Sequence, residues 1–240
     1  MSENKVVVTP ETEESVTVKK DFWASYSKPI IIAGSAVILI VGGWFGYKKL
    51  VKEPNELKGN EAIFAAEAIF DKMATTGFSK DSVDILINGR VVDGNKITGL
   101  LTVIKTYGGT EAGNRANYMV GATYLHIKDF EKAIKYLKEF EGHGATQVES
   151  KAYLMIGHAY AEQKKTDDAL SYYKKAANVN DKDASVSADA LLIAASYAEA
   201  TGKSKDAIEL FQQLKTKYPL STSVANGDVD KYLAKLGIVD

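Results

Sequence analysis

GATYLHIKDFEKAIKYLKEF (121–140) is followed along the chain by two related segments, GHAYAEQKKTDDALSYYKKA (157–176) and AASYAEATGKSKDAIELFQQL (194–214). In each segment a glycine or alanine precedes a tyrosine by three positions, and an alanine precedes a leucine, tyrosine or phenylalanine by four. The interval from the tyrosine to the alanine is nine residues in two segments and ten in the third. We expect Gly202 to absorb this insertion, because glycine suits a turn.

This skeleton is typical of two helices that pack closely. A small residue in the first helix lets the second approach, and the tyrosine fills the space beneath the crossing. Each helix pair has an apolar face that it cannot bury alone, so neighbouring pairs must stack. The sequence therefore predicts an all-α fold in which helical hairpins form a solenoid.

The three segments resemble tetratricopeptide repeats, whose period is about 34 residues. Here the period is 36 to 38 residues, and the third copy ends with Pro219, as the family pattern does. One departure is Phe140, which stands where a small residue is usual. The other is the family's tryptophan, whose place is taken in the successive copies by Asn117, Tyr153, and Asp189 or Ala190. The departures affect single contacts rather than the predicted fold class.

An uncharged apolar run extends from Ile30 to Tyr47, ahead of the repeats. At ~1.5 Å per residue a helix of this length reaches roughly 27 Å, close to the hydrocarbon thickness of a bilayer. Aromatic residues flank both ends, as at membrane interfaces. The run predicts a membrane-spanning helix over residues 29–47 that begins at Pro29. Its anchor residues are Ile30, Ile31, Ile32, Val37, Ile38, Leu39, Ile40, Val41, Trp44 and Tyr47.

Two other interpretations of the run are less favoured. A cleaved signal peptide would not follow a polar leader of 28 residues, and no small-residue cleavage site comes after the run. A buried core helix of this length normally has a polar face. Lysines lie on both sides, so charge alone leaves the sidedness open. Gly42 and Gly46 permit helix pairing, although glycine without a partner explains them equally well.

The chain divides into six predicted segments. They are a disordered tail (1–28), the membrane helix (29–47), a polar connector (48–59), a degenerate N-terminal repeat (60–110), three tetratricopeptide repeats (111–220) and a C-terminal capping helix (221–240). A valine run at residues 6–8 offers the alternative of a strand added to a partner's sheet. Turn dipeptides predict a tight, exposed connection between Asn88 and Asn95, followed by a helix over 97–107.

Composition disfavours several classes of function. The net charge of -1, from 30 basic and 31 acidic residues, gives no field of one sign to attract nucleic acid. The absence of cysteine excludes disulfides, thiolate metal sites and a cysteine nucleophile. His126, His143 and His158 are not spaced as metal ligands, and no nucleophile or phosphate-binding motif is present. We expect no enzyme, no cofactor, no metal site and no small-molecule substrate.

The family resemblance implies a protein-binding groove on the inner surface of the solenoid, lined by the first helix of each pair. By analogy with the family's groove positions, the three copies contribute Arg115, Tyr118, Ala122, Leu125 and His126, then Lys151, Leu154, His158 and Glu162, then Leu191, Ala195 and Glu199. The alternative is that Tyr118, Leu125 and Leu154 only seal adjacent repeats. Because Arg115 and Lys151 are the only basic residues of the set, a clamp for C-terminal carboxylates is disfavoured. An extended or helical peptide is the expected ligand.

The arrangement of tail, span, connector and repeats resembles YfgM-like ancillary subunits of the SecYEG translocon, in a Bacteroidetes form. The resemblance implies a single-pass protein of the bacterial inner membrane with a cytoplasmic N-terminus and periplasmic repeats. It also implies protein partners: a SecYEG/YidC-type translocon, client polypeptides or periplasmic chaperones. Two other functions fit the same architecture, an envelope-stress regulator acting through its cytoplasmic tail and a structural scaffold of another envelope complex.

Overall fold

The computed structural model describes residues 22–92 and 94–239. Most of the predicted disordered tail, including the valine run at 6–8, lies outside the described residues. Contacts between residues divide the chain into two compact units, Met1–Val51 and Lys52–Asp240.

The first unit contains helix α1, Phe22–Tyr47, which is followed by a π-helical turn, Lys48–Lys52. The helix begins before Pro29, which lies inside it rather than at its start as predicted. Proline within a helix removes one backbone hydrogen bond. Helices of the membrane-spanning type nevertheless tolerate proline, because local adjustment satisfies the freed carbonyl.

Helix α1 exposes its apolar side chains. It is long and apolar enough to cross a membrane, and none of its most apolar 18-residue window is buried. Ile38 and Leu39 are 72% and 75% exposed. The buried-core interpretation is therefore wrong. The predicted anchor residues are all exposed, namely Ile30, Ile31, Ile32, Val37, Ile38, Leu39, Ile40, Val41, Trp44 and Tyr47.

The second unit begins with helix α2, Glu53–Thr76. The polar connector predicted for residues 48–59 is helical instead, because it comprises the π-helical turn and the first residues of α2. Pro54 lies in the first turn of α2, where a missing N–H is no loss. Glu53 and Glu56 lie in the same turn, where carboxylates interact favourably with the helix dipole.

The segment after α2 contains one departure from an all-helical chain. Helix α3, Lys80–Asn88, is followed by an antiparallel hairpin of β1, Gly89–Val92, and β2, Asn95–Thr98, and then by α4, Leu100–Tyr107. The predicted exposed connection is thus a β-hairpin, and the helix predicted from residue 97 begins three residues later. Valine and isoleucine favour extended backbone, and Gly94, at φ +79°, supplies a left-handed turn.

Six helices form the three repeat copies, and each packs against the next. They are α5, Glu111–His126, and α6, Phe130–Lys138; α7, Thr146–Glu162, and α8, Thr166–Asn178; α9, Ala184–Ala200, and α10, Ser204–Lys217. The predicted close crossings are present. A Cβ added to Gly121 would lie 2.5 Å from Leu137 Cγ, and one added to Gly157 would lie 2.5 Å from Tyr173 Cε1.

The turns between paired helices share one left-handed residue. Lys128 and Lys164 have φ +64° and +59°, and Gly202 has φ +75° at the matching place. Each of them lies five residues before the second-helix alanine of its copy, which is Ala133, Ala169 or Ala207. Gly202 therefore does not absorb the insertion of copy three. The extra residue precedes the turn, since the bond that closes it runs to Ala198 O rather than to Tyr197 O.

The chain ends with two short helices, α11, Thr222–Ala225, and α12, Asp228–Lys235. Helix α12 buries Val229 and Leu233. Its Tyr232 ring stacks on Phe211 of α10, with the centroids 4.8 Å apart. These contacts cover the apolar face that the last repeat presents.

Candidate peptide-binding groove

The predicted groove residues differ widely in exposure. The exposed ones are His126, Lys151, His158 and Glu162. The half-buried ones are Arg115, Tyr118, Leu125, Leu154 and Glu199. The buried ones are Ala122, Leu191 and Ala195. A continuous surface of free side chains is therefore not present, and the three copies have to be considered separately.

In the first copy Arg115 is engaged by helix α2. Its Nε donates to Glu67 Oε1 at 2.8 Å, and its Nη2 donates to Asn60 Oδ1 at 3.0 Å. This ion pair joins neighbouring first helices, and its exposed position limits its contribution to a fraction of a kcal/mol. Arg115 thus connects α2 to α5 instead of presenting a free cation to a ligand.

A partly apolar pocket of about 330 Å³ lies beside this ion pair. Tyr118 forms one wall, and its ring centroid is 5.3 Å from that of Phe140, which follows α6. Phe70 of α2, Met119 of α5 and Val148 of α7 complete the apolar lining. The polar lining residues are Glu67, Asp71 and Arg115. The pocket has the size and chemistry to accept one apolar side chain of a peptide.

His126, at the end of α5, is covered by the chain itself. The ring of Phe78, between α2 and α3, stacks on its imidazole with the centroids 3.8 Å apart and the planes at 14°. His126 as a whole is nevertheless exposed. His126 therefore lies beside an aromatic ring that the repeat pattern does not predict.

The middle copy has the most accessible groove positions. Lys151, Leu154, His158 and Glu162 recur at spacings of three and four residues along α7, so they share one helix face. Among the described residues no carboxylate lies within ion-pair distance of Lys151. This face of α7 is available to a ligand.

A buried tyrosine of α8 orients the imidazole of His158. Its Nδ1 is hydrogen-bonded to the hydroxyl of Tyr173 at 2.9 Å, and Tyr173 is only 2% exposed. Partial desolvation of the imidazole lowers the pKa of His158, and burial raises the pKa of Tyr173 well above its usual value. Both groups are therefore neutral near pH 7, and the groove floor carries no charge at this point.

The groove positions of copy three are shifted by one residue from those predicted. Counted back from Gly202, the turn residue, Leu192 and Ser196 occupy the positions assigned from sequence to Leu191 and Ala195. Leu191 is 2% exposed and Ala195 is fully buried, whereas Leu192 and Ser196 are half-buried. Leu191 and Ala195 thus face the core, because one extra residue before the turn rotates the helix face by about 100°.

At the carboxyl-terminal end, α12 approaches the same face. Lys235 Nζ is 2.6 Å from Glu199 Oε1, so Glu199 is paired and not free. Leu192, Ser196 and Tyr232 line a pocket of about 360 Å³ beside this pair. The face thus has a pocket at each end and an open stretch of α7 between them.

Family models identify the repeats directly. A tetratricopeptide repeat model matches residues 115–140, and a second one matches residues 154–222. The chain contains tetratricopeptide repeats. A search of curated proteins finds no match to it. The tetratricopeptide repeats imply a protein-binding scaffold in the second unit, and helix α1 is long and apolar enough to be a membrane anchor.

Sequence reasoning missed Phe78, Phe140, Leu192 and Ser196, all of which border the groove. Phe140 differs from the repeat pattern, which is its only signal in the sequence, and the other three carry no local signal. In the described part of the chain, no three His, Cys, Asp or Glu side chains are placed to hold a metal ion. The two pockets of the groove combine apolar side chains with a mixed polar rim.

The loop that carries Phe140 is held by a histidine, which makes its stability dependent on pH. His143 Nδ1 is 3.0 Å from Glu111 and its Nε2 is 2.8 Å from Glu141. Hydrogen bonds to Glu111 and then to Glu141 raise the pKa of His143. Its contribution to stability is therefore complete below the unfolded value of 6.5 and is lost as pH rises through the higher folded pKa.

We expect the free energy of unfolding in urea to fall as the pH rises above about 6.5, and His143→Gln to reduce this fall. His158 does not obscure the measurement, because its lowered pKa acts below pH 6.5. An unchanged pH profile in His143→Gln would contradict the assignment.

Proposed function

We propose that this protein is a membrane-anchored, protein-binding scaffold that serves as an ancillary subunit of the SecYEG translocon on the periplasmic side. The observation that carries the proposal is the exposed apolar helix α1 in the same chain as a repeat groove with an open central face. An anchor confines the scaffold to the membrane surface, where location rather than catalysis determines which polypeptides it meets. The resemblance in architecture supports the translocon as the site of action.

The groove chemistry supports transient binding of unfolded segments. Burying one leucine or phenylalanine side chain in either end pocket contributes about 1.5–3 kcal/mol. Ordering an extended peptide offsets much of this gain. The expected result is weak, rapidly reversible binding with low sequence selectivity, which suits client polypeptides that are released after a short contact.

Val148→Asp tests the groove. Val148 is 36% exposed at the pocket mouth and lies in the first turn of α7, where a carboxylate is compatible with the helix dipole. We expect about tenfold weaker binding of a labelled, uncharged peptide rich in leucine and serine, measured by fluorescence anisotropy with the full chain in detergent. The matched control is Val239→Asp, which adds the same charge at an 82% exposed site. Equal binding by both variants would count against the groove.

The translocon assignment has its own test. Crosslinking in native membranes is expected to join this protein to SecY, and a detergent pulldown that lacks Sec components would overturn this part of the proposal. Deletion of residues 1–20 should leave the association intact; loss of function on that deletion alone would favour the envelope-stress regulator instead. Protease treatment of spheroplasts should remove the repeats if they are periplasmic.

A further inference from the structure

A second surface of the repeats is built from tyrosine rings. Tyr160 of α7 stacks on Tyr172 of α8, with the centroids 5.5 Å apart and the planes at 29°. Tyr153, two turns earlier on α7, is 6.1 Å from Tyr172. All three rings are half-buried, so one side of each remains accessible.

Three exposed lysines surround these rings. Lys138 Nζ lies 5.3 Å from the centroid of Tyr160 and 5.4 Å from that of Tyr172, and it donates to the Tyr160 hydroxyl at 2.8 Å. Lys165 Nζ lies 5.7 Å from Tyr160, and Lys175 Nζ lies 4.5 Å from Tyr172. We call this group the tyrosine–lysine cluster: Tyr153, Tyr160, Tyr172, Lys138, Lys165 and Lys175.

The lysines of the cluster differ from their neighbours in lacking carboxylate partners. Lys174 and Lys203 are paired with aspartates at 2.6 Å each. Within the described residues, no carboxylate lies within ion-pair distance of Lys138, Lys165 or Lys175. A carboxylate meets the cluster at its edge, where the Tyr153 hydroxyl donates to Glu149 Oε1 at 3.3 Å. Three cations thus converge on two rings without being neutralised.

The cluster and the groove lie on different faces of α7. Tyr153 and Tyr160 are seven residues apart and therefore share one face. Leu154 and His158, which belong to the groove, are displaced from that face by about 110° and 150° around the helix axis. A ligand in the groove therefore leaves the cluster open.

We propose that the tyrosine–lysine cluster binds an acidic segment of a partner polypeptide. The carboxylates of the peptide pair with the ammonium groups, and the methylene groups of its side chains and its backbone lie against the tyrosine rings. The rings hold the cations in place, which reduces the entropy lost on binding. Hydrogen bonding to Tyr160 raises the pKa of Lys138, so this ammonium stays charged at physiological pH.

The local charge pattern favours a peptide over an extended anionic surface. The three ammonium groups are grouped around two stacked rings, a span that a few residues of extended chain can cover at ~3.3 Å per residue. Glu139 follows Lys138, and Asp167 and Asp168 follow Lys165 closely in sequence. These carboxylates would oppose a membrane surface or a nucleic acid backbone, both of which need a broader field of one sign.

The test uses the full chain in detergent and fluorescein-labelled hexaglutamate, with hexaglutamine as the neutral probe. We expect hexaglutamate alone to bind, more weakly as salt increases. The combined variant Lys138→Gln, Lys165→Gln, Lys175→Gln should bind about tenfold more weakly, since the loss of each exposed charge pair weakens binding about twofold. The corresponding arginine variant keeps the charges and should bind within about twofold of the parent.

A matched control replaces three exposed lysines outside the cluster, Lys80, Lys96 and Lys182, with glutamine. This control should leave binding unchanged, and thermal unfolding should establish that both triple variants remain folded. The proposal is overturned if the two glutamine variants bind alike, or if hexaglutamine binds as well as hexaglutamate. It is also overturned if the cluster variant loses affinity only for phosphatidylglycerol vesicles or single-stranded DNA.

This test is independent of the groove. Val148→Asp should leave hexaglutamate binding unaffected, whereas Tyr172→Leu should weaken it by removing the ring that contacts two of the lysines. Failure of the groove test with success here would remove the client site and retain the acidic-segment site.

Discussion

Replacement of Ile38 and Leu39 by arginine is expected to release the protein from the membrane. Both side chains lie in the middle of the apolar run 30–47 of α1 and are more than 70% exposed. Isoleucine and leucine each favour insertion by about 0.5 kcal/mol at a helix centre, whereas arginine opposes it by about 3 kcal/mol. Two replacements therefore disfavour insertion by roughly 6–7 kcal/mol, which exceeds what the remaining apolar side chains contribute.

Carbonate extraction of membranes measures this effect. The parent should remain in the pellet, and the Ile38→Arg, Leu39→Arg variant should move to the soluble or aggregated fraction. The matched control is Leu220→Arg with Val239→Arg, which makes the same kind of change at sites in the second unit that are 93% and 82% exposed. Retention of the Ile38→Arg, Leu39→Arg variant in carbonate-washed membranes would contradict a membrane-spanning role for α1.

Gly157→Val is expected to destabilise the repeat unit by about 3 kcal/mol or more. A Cβ at this position would lie 2.5 Å and 2.6 Å from Tyr173 Cε1 and Cδ1. The Tyr173 ring cannot move away easily. It is 2% exposed, it packs edge-on against Tyr197 at 5.1 Å, and its hydroxyl is bonded to His158. The expected fall in the midpoint of thermal unfolding is about 10 °C.

Urea unfolding followed by circular dichroism gives the free-energy change directly. Gly109→Val is the control, because no atom lies within 4 Å of a Cβ added at Gly109. We expect that variant to differ from the parent by less than about 0.5 kcal/mol. If Gly157→Val unfolds within about 1 kcal/mol of the parent, the close crossing of α7 and α8 is not the constraint that we infer.

The groove shows why a repeat pattern predicts a fold better than a site. The small-residue spacing that predicted the hairpins follows from local helix geometry, and Gly121 and Gly157 lie at the close crossings as expected. The third copy has the same spacing to its tyrosine but a different helix phase. That phase depends on whether the extra residue enters the helix or the turn, and both choices are consistent with the sequence.

Other features of the site arise from contacts between distant segments. Arg115 meets Glu67 at a separation of 48 residues, and Glu199 meets Lys235 at the other end of the groove. Phe78 reaches His126 from the turn after α2. No periodicity within one repeat predicts these contacts, because they depend on how the flanking helices dock against the first and last copies.

The sequence by itself determined the apolar helix and the stack of helical hairpins. Both follow from local patterns: an uninterrupted run of apolar residues, and small residues at fixed intervals from aromatic ones. The tertiary structure decided which groove positions are accessible and gathered Tyr160, Tyr172 and Lys138 from three helices into one cluster. Such clusters depend on the docking of neighbouring helices, and the free energy of docking is spread over many non-local contacts.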